Sequence, residues 1–360
     1  MKKILFFIPT LGGGGAEKVL VDLVNNMNYG KFDITLLTLF DDGVNKVRLN
    51  NKVKYCSVFK HIFRGNTYIL KLFTPSFLYR KMIKENYDVV VSYLQSPVMR
   101  IVGGCKDKHT KLVSWIHNEF HDTKALERLY QSKIEFTTSI DRYDAFVFVA
   151  ESARKDLISC CPQIEKKSYT LYNTVDSDTI RTRSAEEICM NLDDNVVKLI
   201  SVGRFAKQKA FDRLIRIIAR LRDNGYSVFL TILGDGELRK EYEELIDDLA
   251  MKEYIRLPGY KDNPYKYVHN SDLFVCSSLH EGLSTAVTES LIVGTPVITT
   301  ECSGMRELLG NNEYGVITEN SEEALYEGIK EIIDDNLIPE LREKAKIRGK
   351  AFSKDVTVKK

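Results

Sequence analysis

The chain lacks a charge surplus, a cysteine framework and a long apolar run, and each absence removes a class of protein. Lys and Arg number 52 against 50 Asp and Glu over 360 residues, so net charge by itself points to no charged partner. The seven cysteines, Cys56, Cys105, Cys160, Cys161, Cys189, Cys276 and Cys302, are odd in number and contain no Cys-x-x-Cys pair. Neither a disulfide framework nor a zinc site is signalled, and a reducing compartment fits. No stretch is apolar for long enough to span a bilayer. Met1-Lys2-Lys3 leads into a short apolar run that ends in glycines with no cleavage-site pattern, so a strand is expected there and not a signal peptide. A content of 44% hydrophobic and 28% charged residues excludes a disordered or collagen-like chain.

What is present is a length that suggests two domains. Apolar runs at 4–9, 32–39, 88–93, 112–116 and 145–149 alternate with helical patterns, the first of them at 16–27. A second series at 196–202, 228–233, 255–257, 273–276 and 296–299 repeats the plan. Short apolar strands separated by helices predict parallel sheets covered on both faces. The polar stretch 174–195 reads as a connection, leaving residues 1–173 and 196–360 as two doubly wound, Rossmann-like α/β domains. Basic residues exceed acidic ones by nine in residues 1–172, and acidic exceed basic by seven in 173–360, so the halves face different partners. Ligands of such domains bind at the carboxyl ends of the strands, and a cleft between two facing sheets is the expected site.

The most specific string is His280-Glu281-Gly282-Leu283-Ser284-Thr285-Ala286-Val287-Thr288-Glu289, which follows the run 273–276 and enters a helix closed by Gly294 and Pro296. The free N–H groups at that helix start suit a phosphate. Glu289, one turn in, has the two acceptor oxygens that a vicinal diol such as ribose requires, and Glu281 suits a sugar hydroxyl. Taken singly, each glutamate also reads as a solvated charge. In Ser201-Val202-Gly203-Arg204-Phe205-Ala206-Lys207-Gln208-Lys209-Ala210 a strand gives way to a helix, placing Arg204 and Lys209 where cations meet the charge of a departing diphosphate; surface cations in a Lys-rich turn are the plainer alternative.

In the first half, Gly12-Gly13-Gly14-Gly15 joins the first strand to the first helix. The loop is not a Walker sequence, and Glu17 stands where a dinucleotide fingerprint needs its third glycine. Gly14 and Gly15 therefore read either as a phosphate- or sugar-facing loop or as a flexible turn. His117 ends the run 112–116 and is aimed at the same strand-end region, although a lone histidine is often structural. Asp176-Ser177-Asp178 reads as turn chemistry and not as a metal site, and no metal or other cofactor is expected.

Together and in this order these strings resemble the large family of retaining GT-B glycosyltransferases known as family 4. The resemblance runs from the glycine loop through Tyr172-Asn173-Thr174-Val175-Asp176 to the paired glutamates and is most specific in 197–310. It implies transfer of a sugar, a hexose or N-acetylhexosamine, from a UDP-sugar more than a GDP-sugar, with the anomeric configuration kept. It also implies that the position of Glu281 contacts the donor sugar, that of Glu289 the ribose, those of Arg204 and Lys209 the diphosphate, and that of His117 the reacting sugar, with Gly282, Leu283, Ser284 and Thr285 lining the donor. The mechanism implied is front-face displacement, the leaving phosphate taking the acceptor's proton. The chain departs from the family in having Gly282-Leu283-Ser284-Thr285 where Gly-Phe-Gly is usual, Ala210 where glycine is common, and an end soon after Phe352.

Acid is missing altogether from Gly43 to Lys84, where ten Lys and Arg, among them Lys60, Arg64, Lys71, Arg80 and Lys81, are interleaved with Tyr and Phe. Such a mixture can rest on an anionic bilayer, which suggests a cytoplasmic protein held peripherally at the inner face of the membrane and acting on a glycan or lipid-linked glycan. Single-stranded nucleic acid would suit the same mixture but leaves the donor motifs unused. A solvated loop and helix with buried aromatics is the structural alternative. Beside glycosyl transfer stand a nucleotide-sugar epimerase or hydrolase of the same fold and a non-catalytic glycan- or partner-binding subunit. A nicotinamide oxidoreductase is weakened by the broken fingerprint.

Overall fold

The computed structural model describes residues 1–118, 122–173, 175–188, 193 and 195–352; Thr174 and Cys189, both named above, lie outside them. The chain divides into two compact units, Met1–Thr174 and Val175–Lys359.

The first unit holds seven strands: β1 (Lys2–Ile8), β2 (Phe32–Phe40), β3 (Lys54–Phe59), β4 (Val89–Tyr93), β5 (Lys111–Ile116), β6 (Ala145–Phe148) and β7 (Ser168–Thr170). They pair in the order β3-β2-β1-β4-β5-β6-β7, all parallel. β1 is central, which explains its unbroken run of five buried residues, Ile4 to Ile8, in place of an alternating pattern. The second unit has β8 (Val197–Val202), β9 (Val228–Leu233), β10 (Ile255–Arg256), β11 (Leu273–Cys276), β12 (Val297–Thr300) and β13 (Val316–Thr318), in the parallel order β10-β9-β8-β11-β12-β13. Both are the doubly wound α/β sheets that the strand and helix alternation predicts. Strand order reverses between β1 and β4 in one unit and between β8 and β11 in the other, the two points where such sheets open to a ligand.

Three strands escaped the sequence reading. β3, β7 and β13 lie at sheet edges, and β3 is only half buried, with Lys54 and Cys56 exposed, so its apolar signal is weak. β7 and β13 have three residues each, too few for periodicity to register. Within the stretch read as a connection, Ser177–Ser184 is a helix of the second unit: Val175 and Ile180 are buried with Tyr265 and Ile292. Asp176 caps it, accepting from the Thr179 N–H at 3.2 Å and the Thr179 hydroxyl at 3.0 Å. The Asp176-Ser177-Asp178 triplet is therefore helix-start chemistry.

The second unit's core is built on the amphipathic helix Phe211–Asp223, which buries Leu214, Ile217, Ile218 and Leu221 against β8 and β9 residues such as Leu199 and Leu230. Each such side chain contributes about 1.5–3 kcal/mol relative to exposure. Among the described residues no three His, Cys, Asp or Glu side chains gather as a metal would need, and no helix is long and apolar enough to cross a membrane.

Candidate functional site

β8 ends at Val202, and the chain turns through Gly203 and Arg204 into a short 3-10 turn, Lys207–Lys209. The turn leaves Ala210 in the left-handed region, φ +47°, before the Phe211–Asp223 helix begins. β-carbons disfavour that conformation, which is why glycine suits this position. Gly203 lies under the Lys209 side chain: a β-carbon there would stand 3.1 Å from Lys209 Cε. Arg204 is exposed, with no carboxylate partner among the described residues.

The loop after β11 meets this turn. Leu279 N–H donates to Gln208 O at 2.8 Å, the Gln208 amide donates to His280 O at 2.8 Å, and the Ser277 hydroxyl donates to Lys209 O at 2.8 Å. The consequence is a close pair: Lys209 Nζ lies 2.6 Å from Glu281 Oε1, which also accepts from the Ser278 hydroxyl at 2.5 Å. Glu281 is buried and Lys209 nearly so. Burial alone would pull the Lys209 pKa down, but Glu281, with the neighbouring Cys276 thiol, outweighs it and holds the ammonium above its ordinary value.

From Glu281 the chain passes through buried Gly282, Leu283 and Ser284 into the helix Thr285–Val293. Ser284 caps it by accepting from the Val287 N–H at 3.4 Å, and Gly294 ends it in the left-handed conformation, φ +81°. Glu289 sits just past the first turn and is 7% exposed. Gly304, φ +74°, packs flat against Gly282 and Leu283, where a β-carbon would strike the Gly282 carbonyl. The second unit thus brings Lys209, Glu281 and the start of the Glu289 helix to the β8–β11 reversal.

In the first unit, Gly14 is the N-cap and Gly15 the first residue of the helix Gly15–Asn26. The Glu17 carboxylate lies against Gly14, where it would collide with any side chain, so a carboxylate faces this helix start. Gly43, φ +125°, allows the chain to pass the backbone of Leu11 and Gly12, and Asn45 donates to Gly12 O. His117 follows β5 directly and is 7% exposed. Burial pushes its pKa down to about 3, so the imidazole is neutral. Its ring lies 4.6 Å from that of Tyr93, the last residue of β4.

The acid-free segment divides. Lys46, Arg48 and Lys54 pair with Asp41, Asp22 and Asp33 at 2.6, 2.9 and 2.9 Å, acids that lie outside the segment. Lys71 is partly buried and donates to Arg128 O. Lys60, Arg64, Arg80 and Lys81 are exposed, with no carboxylate partner among the described residues. The aromatics divide too: Phe59 stacks on Phe40 and Phe63 meets both edge-on, whereas Tyr68 and Phe73 are exposed, beside Ile69 and Leu72.

Arg213 was not anticipated. It is buried and donates to Ser277 O at 2.7 Å, Ser278 O at 3.0 Å, the Thr300 hydroxyl at 3.4 Å and Asn320 Oδ1 at 2.9 Å. Its guanidinium thereby fixes the loop that leads to Glu281. On its helix Arg213 falls at the margin of the apolar arc, next to exposed Arg220, so periodicity assigns it to solvent.

Two family models match the chain: Glycosyltransferase Family 4 over residues 13–179 and Glycosyl transferases group 1 over 188–352. An N-acetylgalactosamine-N,N'-diacetylbacillosaminyl-diphospho-undecaprenol 4-alpha-N-acetylgalactosaminyltransferase of Campylobacter jejuni is 30% identical over 98% of this chain and 96% of its own. A second C. jejuni protein, a GalNAc-alpha-(1->4)-GalNAc-alpha-(1->3)-diNAcBac-PP-undecaprenol alpha-1,4-N-acetyl-D-galactosaminyltransferase, is 27% identical over 98% and 95%. Among solved structures, Anabaena HepE in complex with UDP-glucose matches with a TM-score of 0.74 and 16% identity over 100% of this chain and 98% of that one.

Proposed function

The chain belongs to the family 4, group 1 glycosyltransferases, and from that premise we propose that it transfers an N-acetylhexosamine or hexose from a UDP-sugar to a lipid-linked glycan, with retention and without a metal. The observation that carries the reading is the Lys209–Glu281 pair at the start of the Glu289 helix, at a sheet reversal. Lys209, kept protonated by Glu281, and the exposed Arg204 meet the diphosphate as its charge grows in the transition state. Glu289 accepts from the ribose hydroxyls and Glu281 from a sugar hydroxyl. Gly282, Leu283, Ser284 and Thr285 lie along the donor. His117 offers a neutral imidazole to the sugar. Because a carboxylate faces Gly14 and Gly15, that loop suits hydroxyls better than phosphate. N-acetylgalactosamine is the first sugar to test, because two relatives named for its transfer span nearly the whole chain.

The test is incubation with UDP-N-acetylgalactosamine and other UDP- and GDP-sugars, an undecaprenyl-diphosphate-linked glycan and EDTA. The expected product is an acceptor extended by one α-linked sugar, its linkage read by NMR. UDP release that ignores the acceptor would mark a hydrolase; no turnover with any donor would favour a binding subunit.

We also propose peripheral attachment to the inner face of the cell membrane, through exposed Lys60, Arg64, Arg80 and Lys81 beside Tyr68 and Leu72, with Lys71 at the patch edge. Each cation near an anionic surface adds about 1 kcal/mol. Flotation with phosphatidylglycerol vesicles but not with phosphatidylcholine vesicles at low salt is expected, and equal recovery with both defeats the idea.

A further inference from the structure

The carboxyl ends of β4 and β5 carry an unusual concentration of unsatisfied polarity. The Tyr93 hydroxyl, Trp115 Nε1 and His117 Nε2 are all buried without a hydrogen-bond partner among the described residues. The rings form one group: Tyr93 is 4.6 Å from His117 and 5.4 Å from Trp115. Next to them Leu94 is held at φ +76°, a conformation that a branched side chain rarely adopts, while its N–H donates to Trp115 O at 3.2 Å. Buried polar atoms are normally paired, and a native cluster of unpaired ones calls for a reason. Packing supplies none, since phenylalanine in place of Tyr93 would fill the same space without leaving a hydroxyl orphaned.

We infer that Tyr93 and Trp115, together with His117, form a subsite in the first unit that takes a neutral sugar hydroxyl. The donor inventory fits one oxygen: the indole N–H only donates, the phenol donates or accepts, and a neutral imidazole offers one of each. A hydroxyl satisfies all three types in turn. A phosphate does not fit, because the charges that act on Tyr93 are the Glu17 and Asp22 carboxylates, and the desolvated imidazole carries none. Tyr93 is fully enclosed, whereas Trp115 and His117 keep 9% and 7% of their surface, none of it at Nε1 or Nε2, so a sugar reaches the group from their side only as these two side chains give way. The inference rests on the glycosyl-transfer reading and adds to it the residues that read the sugar; the sugar belongs to either the donor or the acceptor.

Trp115 is the one tryptophan of the chain, so its fluorescence reports on this place alone. The full chain is titrated in one arm with UDP and with a panel of UDP- and GDP-sugars, and in the other with a neutral α-linked N-acetylgalactosamine oligosaccharide. Binding is followed in parallel by calorimetry. The expected result is an emission change in one arm that UDP alone does not produce, with Tyr93→Phe raising the KM of that same substrate about tenfold, the worth of one lost hydrogen bond, while its melting temperature rises. Silent emission in both arms while calorimetry registers binding overturns the inference, as does Tyr93→Phe with wild-type KM. If no nucleotide sugar binds at all, the transfer reading itself fails and this inference with it.

Discussion

The ammonium of Lys209 stands 2.6 Å from the carboxylate of Glu281, so two groups expected to touch different parts of a substrate touch each other. On the proposed reading, diphosphate and sugar would share or replace this contact. Glu281→Gln is therefore expected to cost stability as well as turnover, because it leaves a largely buried ammonium without its counter-charge. A loss of about 3–5 kcal/mol is expected in urea unfolding, the range for breaking a buried pair from one side. The pair also sets a pH window. The Lys209 pKa is raised above its ordinary value, so its stabilisation is complete below that value and is lost only as pH rises through the higher folded one. Between pH 6 and 9 the wild-type pair adds no slope of its own, whereas in Glu281→Gln burial acts on Lys209 unopposed and the variant should gain stability as pH rises, so wild type minus variant should narrow; a difference that widens with pH would contradict the assignment.

His117 predicts the opposite behaviour in acid. With a folded pKa of about 3 against an ordinary 6.5, it is neutral in the native state, so stability is complete above pH 6.5 and declines as pH falls towards 3. The slope is about 1.4 kcal/mol per pH unit. His117→Asn should flatten this limb in chemical denaturation, and an unchanged limb would show that the imidazole is not buried neutral.

Glu289→Ala should weaken UDP binding about tenfold to a hundredfold, one charged hydrogen bond being worth about 1.5–3 kcal/mol. Calorimetry with 2',3'-dideoxy-UDP is the control. The variant should bind the two nucleotides alike, whereas a residual preference for UDP would place the ribose elsewhere.

Ala210→Gly is expected to stabilise the protein. The left-handed conformation costs alanine about 1–2 kcal/mol, and the greater freedom of unfolded glycine offsets about 0.4–1 kcal/mol of that, leaving a net gain of about 0–1.6 kcal/mol. Thermal melting checks this, and a lower midpoint would mean that the methyl group packs better than the torsion suggests.

Arg213→Met should leave Ser277 O and Asn320 Oδ1 without their donor, at a cost of about 1–3 kcal/mol. Turnover should fall by more than that loss explains, because the loop that presents Glu281 loses its anchor. Activity measured well below the melting temperature separates the two effects.

The central strands and the end of the Thr285–Val293 helix are legible in the sequence because continuous apolar runs and Gly294 are local signals. These signals fail at β3, β7 and β13, where edges and shortness erase periodicity. Motif residues such as Lys209 and Glu281 were legible by residue type at strand ends, but their mutual contact was not, since 72 positions separate them. Arg213 and Tyr93 were missed for a related reason. Their importance lies in what a distant loop or strand leaves around them, and no neighbour in sequence records that.

β8 and β9 end in two glycines laid against each other. Gly203 N–H donates to Leu233 O at 2.9 Å, and Gly234, at φ +137°, presses so closely on the Gly203 carbonyl that no side chain fits between them. Phe205 N–H then donates to Asp235 O at 2.9 Å. The track of the segment bearing Arg204 is therefore set by main chain on main chain. Side chains along it can change while the segment keeps its course, so substitutions around Arg204 can alter what the segment presents without rebuilding the floor beneath it.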